Sequence, residues 1–361
     1  MLSYLRKIDW PIILIVLILL GIGMASIYSS SSSESGFLNF YKQAAFIGVG
    51  LVLMLIFALI DYRNLKDNSY LILIFYLVFL ILLAGLFIFG DRIRGVKSWY
   101  KIGHLAFAPT EFVKIILIIL LAKYFSKRHI EMYRIIHIIM SGIYVFLPAL
   151  LIYLQPDLGS VLVILFLWLG VLIVSGIKLR HFFILILIGI VIFALSWNFF
   201  LKDYQKERII SFITPEYQPL EIGWSQRQAK IAIASGGLLG KGFSRGSQTQ
   251  NGFLSEPQTD FIISAIAEEF GFMAIIIICG LFLLLFWRII RIAFEANDNF
   301  ARLFTAGFGI IIIAQVFINL GSNLGFLPVI GIPLPFVSYG GSFLIAIFIA
   351  LGIIQNIKIN S

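Results

Sequence analysis

Ten apolar runs, each about 17 to 25 residues long, constrain this chain more than any other feature, because that is the length an α-helix needs to cross a hydrocarbon layer of roughly 30 Å. They lie near residues 11–28, 39–60, 70–90, 109–125, 134–154, 157–176, 181–200, 259–287, 301–324 and 341–357. No water reaches the backbone inside lipid, so each run has to satisfy its own N–H and C=O groups as a helix. With 60% hydrophobic and 12% charged residues, too few polar side chains exist to cover a water-soluble globule of 361 residues. The expected fold is an all-α polytopic membrane protein with about ten transmembrane helices. It forms a single domain over 1–361, with a large extracytoplasmic loop at about 201–258 between the seventh and eighth helices. The first run follows Arg6 and Lys7 as a signal peptide would, but it has no small-x-small cleavage pattern and is kept as the first helix. Cys279 is the only cysteine, so an intrachain disulfide is excluded and the packing comes from helices alone.

The basic residues orient the bundle. Alternate short loops carry Arg6 and Lys7, Arg63 and Lys66, Lys123, Lys127, Arg128 and Arg134, Lys178 and Arg180, Arg288 and Arg291, and Lys358, which predicts both termini on the cytoplasmic side. The opposite short loops, Ser29 to Phe37, Gln155 to Asp157 and Gly325 to Gly341, carry no Lys or Arg. Two outward loops break this pattern: Asp91 to Ala108, with Arg92, Arg94, Lys97 and Lys101, and the large loop, with Lys202, Lys206, Arg208, Arg227, Lys230, Lys241 and Arg245. Two basic loops on one face point to an anionic ligand there, such as a phospholipid surface or a lipid-linked phosphate. The net charge of +9 is not a nucleic-acid footprint, because the cations are dispersed among short loops and no soluble domain carries a groove. The run Ser29 to Ser33 with Glu34 and Ser35 is expected to be a solvated connector.

In the large loop, Pro215 and Pro219 interrupt the chain, and Trp224 to Ser235 is expected to form a short helix with Arg227 and Lys230 on one face. Gly236, Gly237, Gly240, Gly242 and Gly246 then surround Lys241. Such glycines either present N–H groups to a diphosphate or merely make turns, and both readings stay open. The nucleotide-binding P-loop pattern fails, since Ser235 stands five residues before Gly240 and Gly242 follows Lys241.

Charged residues inside the spans are few. Glu111 and Lys114, at i and i+3, share one helix face and form either a neutralised packing pair or part of a site. Asp157 opens the sixth span after Pro156, where capping the first turn is the simplest role. Asp260 opens the eighth span beside the basic loop and is the foremost functional candidate, although it too has the position of a cap. On a continuous helix Asp260, Ser264, Ala267 and Gly271 share a stripe that admits a close neighbour, while Glu268 and Glu269 point elsewhere as buried pairing groups. His104, His129, His137 and His181 show no metal-ligand spacing, and no Gly-x-Ser-x-Gly occurs.

Four strings carry a resemblance. They are GVKSW with APTEFVK (Gly95 to Trp99, Ala108 to Lys114), QPDLGS (Gln155 to Ser160), the stretch from AKIAIASGGLLGKGF to EPQTDFIISAIAEEFG (Ala229 to Gly271), and LPVIGIPLPFVSYGGS (Leu327 to Ser342). In these the chain resembles the SEDS family (shape, elongation, division and sporulation), bacterial membrane glycosyltransferases that polymerise lipid II. The resemblance runs from the first span to Gln355, and Gly246 to Gln250 with Gln258 to Asp260 look more like the rod-shape branch than the division branch. Departures from the family pattern are Ala108 and Thr110, Ser255, Gln258 and Ile330. None removes a carboxylate or the paired lysine.

The resemblance implies that Asp260 is the catalytic general base. It takes the proton of a sugar 4-hydroxyl as that oxygen attacks the anomeric carbon of an α-linked disaccharide diphosphate, giving a β-linkage by one inversion. The leaving diphosphate needs positive charge, for which Lys114, Arg227, Lys230, Lys241 or a divalent cation such as Mg or Mn are the candidates. Glu111, Asp157, Gln258 and Ser338 complete the expected substrate-binding set; the metal ligands are unknown and no organic cofactor is implied. Implied partners are lipid II, membrane lipids and a class B penicillin-binding protein that carries out cross-linking, in the bacterial inner membrane. A flippase for the same precursor and a non-enzymatic scaffold are the alternatives. A flippase needs its charges near mid-membrane, whereas Asp260, Asp157 and Glu111 all begin spans.

Overall fold

The computed structural model describes residues 7–34, 37–93, 96–103, 105–128, 135–199, 201, 203–214 and 222–361. Arg6, Ser35, Arg94, Gly95, His104, His129, Arg134, Lys202, Pro215 and Pro219, all singled out above, lie outside the described residues. In chain order the elements are α1 (Trp10–Glu34), α2 (Leu38–Leu59), the short α3 (Arg63–Asp67), α4 (Ser69–Phe89), β1 (Asp91–Ile93), β2 (Val96–Ile102), β3 (Leu105–Phe107), α5 (Pro109–Ser126), α6 (Ile135–Leu154), α7 (Leu158–Val174) and α8 (Leu179–Phe199). They continue with α9 (Asp203–Ile213), α10 (Ile222–Gly236), the single turn α11 (Ser247–Gln250), α12 (Ile262–Glu295), α13 (Asn299–Leu324) and α14 (Gly341–Ile359).

A helix occupies each of the ten apolar runs, and eight of them are long and apolar enough to cross a membrane by themselves. The other two are α5, whose 18 residues include Glu111, Lys114 and Lys123, and α7, which has only 17 residues. Both lie inside the bundle, α5 against α4, α13 and α14, and α7 against α6 and α13. Lipid therefore need not surround the charges of α5: Glu111 and Lys114 pair with each other, and packing buries Lys123 within the bundle. The most buried spans are α13 and α14, and α14 packs along the length of α2. At the other extreme, α8 has no buried residue in its apolar stretch.

Both described ends of the chain meet at one end of the bundle. The Asp9 N–H donates to Gln355 Oε1 at 2.8 Å, Lys7 Nζ donates to the Ile359 carbonyl, and Arg288 pairs with the Asp9 carboxylate. At that same end Asp298 caps α13 by accepting from Ala301 N–H, and also accepts from the Tyr62 hydroxyl at 2.9 Å and from Lys66. Burial, reinforced by the hydrogen bond to Asp298, pushes the Tyr62 hydroxyl up to about 12.

Three departures from the sequence reading matter for the site. The loop from Asp91 to Ala108 is an antiparallel meander in the order β1, β2, β3, with Tyr100 opposite Phe107, Lys101 opposite Ala106, and Gly103 at φ +62°. The serine run is not a solvated connector: α1 continues through it, and Ser29, Ser30 and Ser31 are buried. Ser30 and Ser31 return their hydroxyls to the carbonyls of Ser26 and Ile27, which lets polar residues extend a buried helix. Finally, α12 is two rods rather than one, because Gly271 at φ 79°, ψ 179° adopts a conformation open essentially only to glycine.

Candidate active site

Asp260 ends a run of tight turns (256–261) rather than starting a helix. The N-cap of α12 is Phe261, so Asp260 stands one residue outside the helix rather than at its cap position. Its main chain is tied to the neighbouring helix. The Asp260 carbonyl accepts from Asn323 Nδ2 at 2.8 Å and from Asn319 Nδ2 at 3.2 Å, both projecting from buried turns of α13. Asn319 Nδ2 also donates to the Ile332 carbonyl at 2.8 Å, and Asn323 Oδ1 accepts from the Ser264 hydroxyl at 2.7 Å. Two asparagines one turn apart thus join the Asp260 turn to the irregular segment 325–340. Ser338 completes the join: its hydroxyl donates to the Thr259 carbonyl at 2.7 Å and accepts from Leu334 N–H, while the Tyr339 N–H donates to the Gln258 carbonyl. The partly buried Asp260 carboxylate faces Gly331, where a Cβ would stand 3.7 Å from Oδ2.

The carboxylate opens onto a cavity of about 1910 Å³ that also receives Glu111, Lys114 and Asp157. Lys114 Nζ lies 2.7 Å from Glu111 Oε2 and 5.7 Å from the centre of the Phe343 ring, so the pair is held rigidly at the first turns of α5. Asp157 caps α7, with Oδ1 accepting from Ser160 N–H at 3.0 Å and Oδ2 from the Ser160 hydroxyl at 2.8 Å. Its capping role is real, and it leaves the residue on the cavity wall. All four charged groups lie at the end of the bundle away from the termini, where α5, α7 and α14 begin. An apolar part of the cavity runs down between α6, α7 and α8, along Ile143, Phe146, Phe166, Leu185, Ile188 and Ile192.

The other expected residues do not line this cavity. Lys241 pairs with Glu268 at 2.9 Å, and the same carboxylate accepts from the N–H groups of Gln248 and Thr249 and from the Thr249 hydroxyl. The glycines around it are not a diphosphate cradle. Lys241 N–H and Gly242 N–H donate to the Glu268 and Glu269 carbonyls, and Phe272 N–H and Met273 N–H donate back to Gly237 and Leu238. The loop therefore satisfies the polar groups that the break at Gly271 exposes, which is why glycines crowd there. The small stripe has two close neighbours: α13, whose Asn323 accepts from Ser264, and the Gly236 end of α10, packed on the Ala267 carbonyl. Glu269 accepts from Ser29 and Gln250, as expected of a buried pairing group. Arg227 and Lys230 lie on α10, whose Gln226 is tied to the carbonyls of Ser322 and Leu327, and the Lys230 stem packs on Gly325. Gln258 accepts from Asn39 Nδ2 at 2.8 Å. Among the described residues no three of His, Cys, Asp and Glu come together as a metal-holding group. Glu111 is engaged by Lys114 and Asp157 by the first turn of its own helix.

The sequence pattern of the cell cycle protein family FtsW/RodA/SpoVE matches residues 9–361. The chain belongs to that family. It is 36% identical over 351 residues to the peptidoglycan glycosyltransferase MrdB of Escherichia coli K12, covering 97% of this chain and 93% of that one. It is 35% identical over 363 residues to stage V sporulation protein E of Bacillus subtilis, covering 97% and 96%. Among solved structures, a chain described under "structural coordination of polymerization and crosslinking by a peptidoglycan synthase complex" superposes with a TM-score of 0.83 at 31% identity, with 97% of each chain covered. The rod shape determining protein RodA of Thermus thermophilus gives 0.73 at 30% identity, covering 97% and 96%.

For this FtsW/RodA/SpoVE member the cavity also contains Lys42 of α2, Trp99 of β2, Gln205 of α9 and Tyr339, none of them proposed from the sequence as a site residue, together with Lys101 and Arg208, noted there only among the basic residues of the outward loops. Signals for two of these groups existed. Gln205, Arg208, Ile209, Phe212 and Ile213 recur at helical spacing, and Lys97, Trp99 and Lys101 alternate as one face of a strand does.

Proposed function

We propose that Asp260 is the base with which this chain, a multi-pass membrane peptidoglycan glycosyltransferase, polymerises lipid II into glycan strands for cell elongation. The observation that carries this is the shared cavity, with Asp260, Lys114, Glu111 and Asp157 at one end and an apolar groove beside α8. A polyprenyl chain matches the groove, and its diphosphate then falls among the charged groups. Asp260 accepts the proton of the incoming 4-hydroxyl as that oxygen bonds to the anomeric carbon from the face opposite the diphosphate. The anomeric C–O bond breaks with its electron pair, and the diphosphate departs as an anion stabilised by Lys114. Glu111 holds Lys114 in place. Lys42, Lys101 and Arg208, which line the same cavity, add positive charge around the departing group. The asparagines of α13 hold the Asp260 main chain, so the base needs no reorganisation as the reaction proceeds.

The distribution of basic residues supports termini on the cytoplasmic side and the cavity mouth on the outer face. A cross-linking partner is supported by the superposition on a polymerising and cross-linking synthase complex, and nothing in this chain supplies peptide chemistry. Carriage of the precursor across the bilayer is disfavoured, because the cavity's charged groups gather at one end of the spans rather than at their middle. The deciding experiment uses Asp260→Asn, purified and reconstituted with lipid II. Glycan polymerisation falls by at least about a hundredfold, while the thermal midpoint stays at the wild-type value because Asn matches Asp in size and shape. Unchanged polymer lengths remove Asp260 from the reaction, and precursor scrambling without polymer assigns the chain to transport.

A further inference from the structure

The β-meander enters the chemistry just described only through the charge of Lys101, yet one face of β2 is turned into the site. Ser98 and Tyr100 point the other way: Ser98 is buried, and the Tyr100 hydroxyl donates to the Leu82 carbonyl of α4 at 2.6 Å. Alternation along the strand then puts Trp99 and Lys101 on the opposite face, and both line the cavity that contains Asp260. The wall beside them is made of small residues. Ala106 stands opposite Lys101 in the ladder, Ala108 follows one step on, and Ser342 hydrogen-bonds to the backbone of both alanines. A partly buried indole with small neighbours is thus part of the wall of the cavity that contains Asp260.

Resting on the glycosyltransferase reading, we propose that Trp99 is the platform on which a pyranose ring of the lipid-linked substrate stacks, making β2 the element that distinguishes sugar-bearing from sugar-free polyprenyl diphosphates. One face of a β-linked pyranose carries axial C–H groups, which are weakly positive and apolar. The face of an indole is electron-rich and flat, and is the best match an uncharged side chain offers. A phosphate gains nothing from that ring, and a polyprenyl tail is better accommodated along α6, α7 and α8. Lys101, two residues on and exposed, belongs to the anionic part of the substrate.

The test measures binding to the full-length protein carrying Asp260→Asn, so that no turnover occurs, with two probes: lipid II, and undecaprenyl diphosphate without sugar. Trp99→Leu keeps apolar bulk and removes the ring; it weakens lipid II binding by about tenfold and leaves undecaprenyl diphosphate within about twofold. Trp99→Phe retains lipid II binding to within about threefold. Equal losses on both probes, or no loss on lipid II, overturn the proposal, the first because it marks Trp99 as an interfacial anchor of the kind common at membrane surfaces. A protein with Trp99 intact that binds neither probe overturns the glycosyltransferase reading itself.

Discussion

Glu111 and Lys114 offer a way to separate what a buried ion pair contributes to folding from what it contributes to chemistry. Their charged atoms are 2.7 Å apart, with side-chain exposures of 14% for Glu111 and 4% for Lys114. Removing one partner strands the other charge in the bundle, at a cost of about 3 to 5 kcal/mol, whereas replacing both by uncharged side chains of similar volume is close to neutral. Because Glu111 retains some contact with the cavity, the lower end of that range applies to Lys114→Met and the upper end to Glu111→Gln, which strands the more deeply buried ammonium. At roughly 2 °C per kcal/mol, the single variants unfold about 6 to 10 °C below wild type, and Glu111→Gln/Lys114→Met returns to within about 3 °C. Activity behaves differently. All three variants lose polymerisation of lipid II by at least about a hundredfold, because each removes or misplaces the cation that meets the diphosphate. Thermal unfolding of purified protein in detergent, followed by intrinsic fluorescence, gives the first quantity, and glycan product on gels gives the second. A double variant as unstable as the singles refutes the desolvation argument; a stable double variant that polymerises normally refutes the role of Lys114.

Two other perturbations test the scaffold. Asn323→Ala removes a donor to the Asp260 carbonyl and the acceptor of the Ser264 hydroxyl, so kcat falls roughly tenfold to a hundredfold while KM stays within about twofold, a split that steady-state kinetics resolves. At the termini end, burial tends to raise the Asp298 carboxyl, but hydrogen bonds from Ala301 N–H, Tyr62 and Lys66 outweigh it and hold the group below its ordinary value of 3.8. A depressed carboxyl stabilises the fold above that value, and the stabilisation is lost as pH falls below it. Asp298→Asn therefore lowers the thermal midpoint near neutral pH and flattens its dependence below pH 3.8, measurable by thermal scans across pH.

Length and hydropathy alone placed all ten helices, because a span in lipid is specified by a contiguous run whose own backbone closes its hydrogen bonds. The same local logic identified the positions where charge is costly, and Glu111, Lys114, Asp157 and Asp260 all open onto one cavity. Side-chain pairing at i and i+3 and the cap at Asp157 were equally legible, since each partner lies within one turn.

What needed the tertiary structure involves partners far apart in the chain. Lys241 and the glycines around it have the composition of an anion site, yet their bonds go to Glu268 and to the broken turn at Gly271. A positive φ inside an apparently continuous helix leaves no periodic trace, so the stripe from Asp260 to Gly271 suggested one rod where there are two. The serine run looked solvated until Glu269 and Gln250 were found against Ser29, more than two hundred positions away. A strand as short as β2 cannot be told from a loop without its ladder partner, so the alternation of Lys97, Trp99 and Lys101 does not by itself turn Trp99 toward the site. Hydrophobicity determined which segments of this protein enter the membrane, because that is a property of each segment alone. The folded structure decided which polar groups converge on Asp260, because a buried donor or acceptor is satisfied by whichever partner packing brings near, at any separation in sequence.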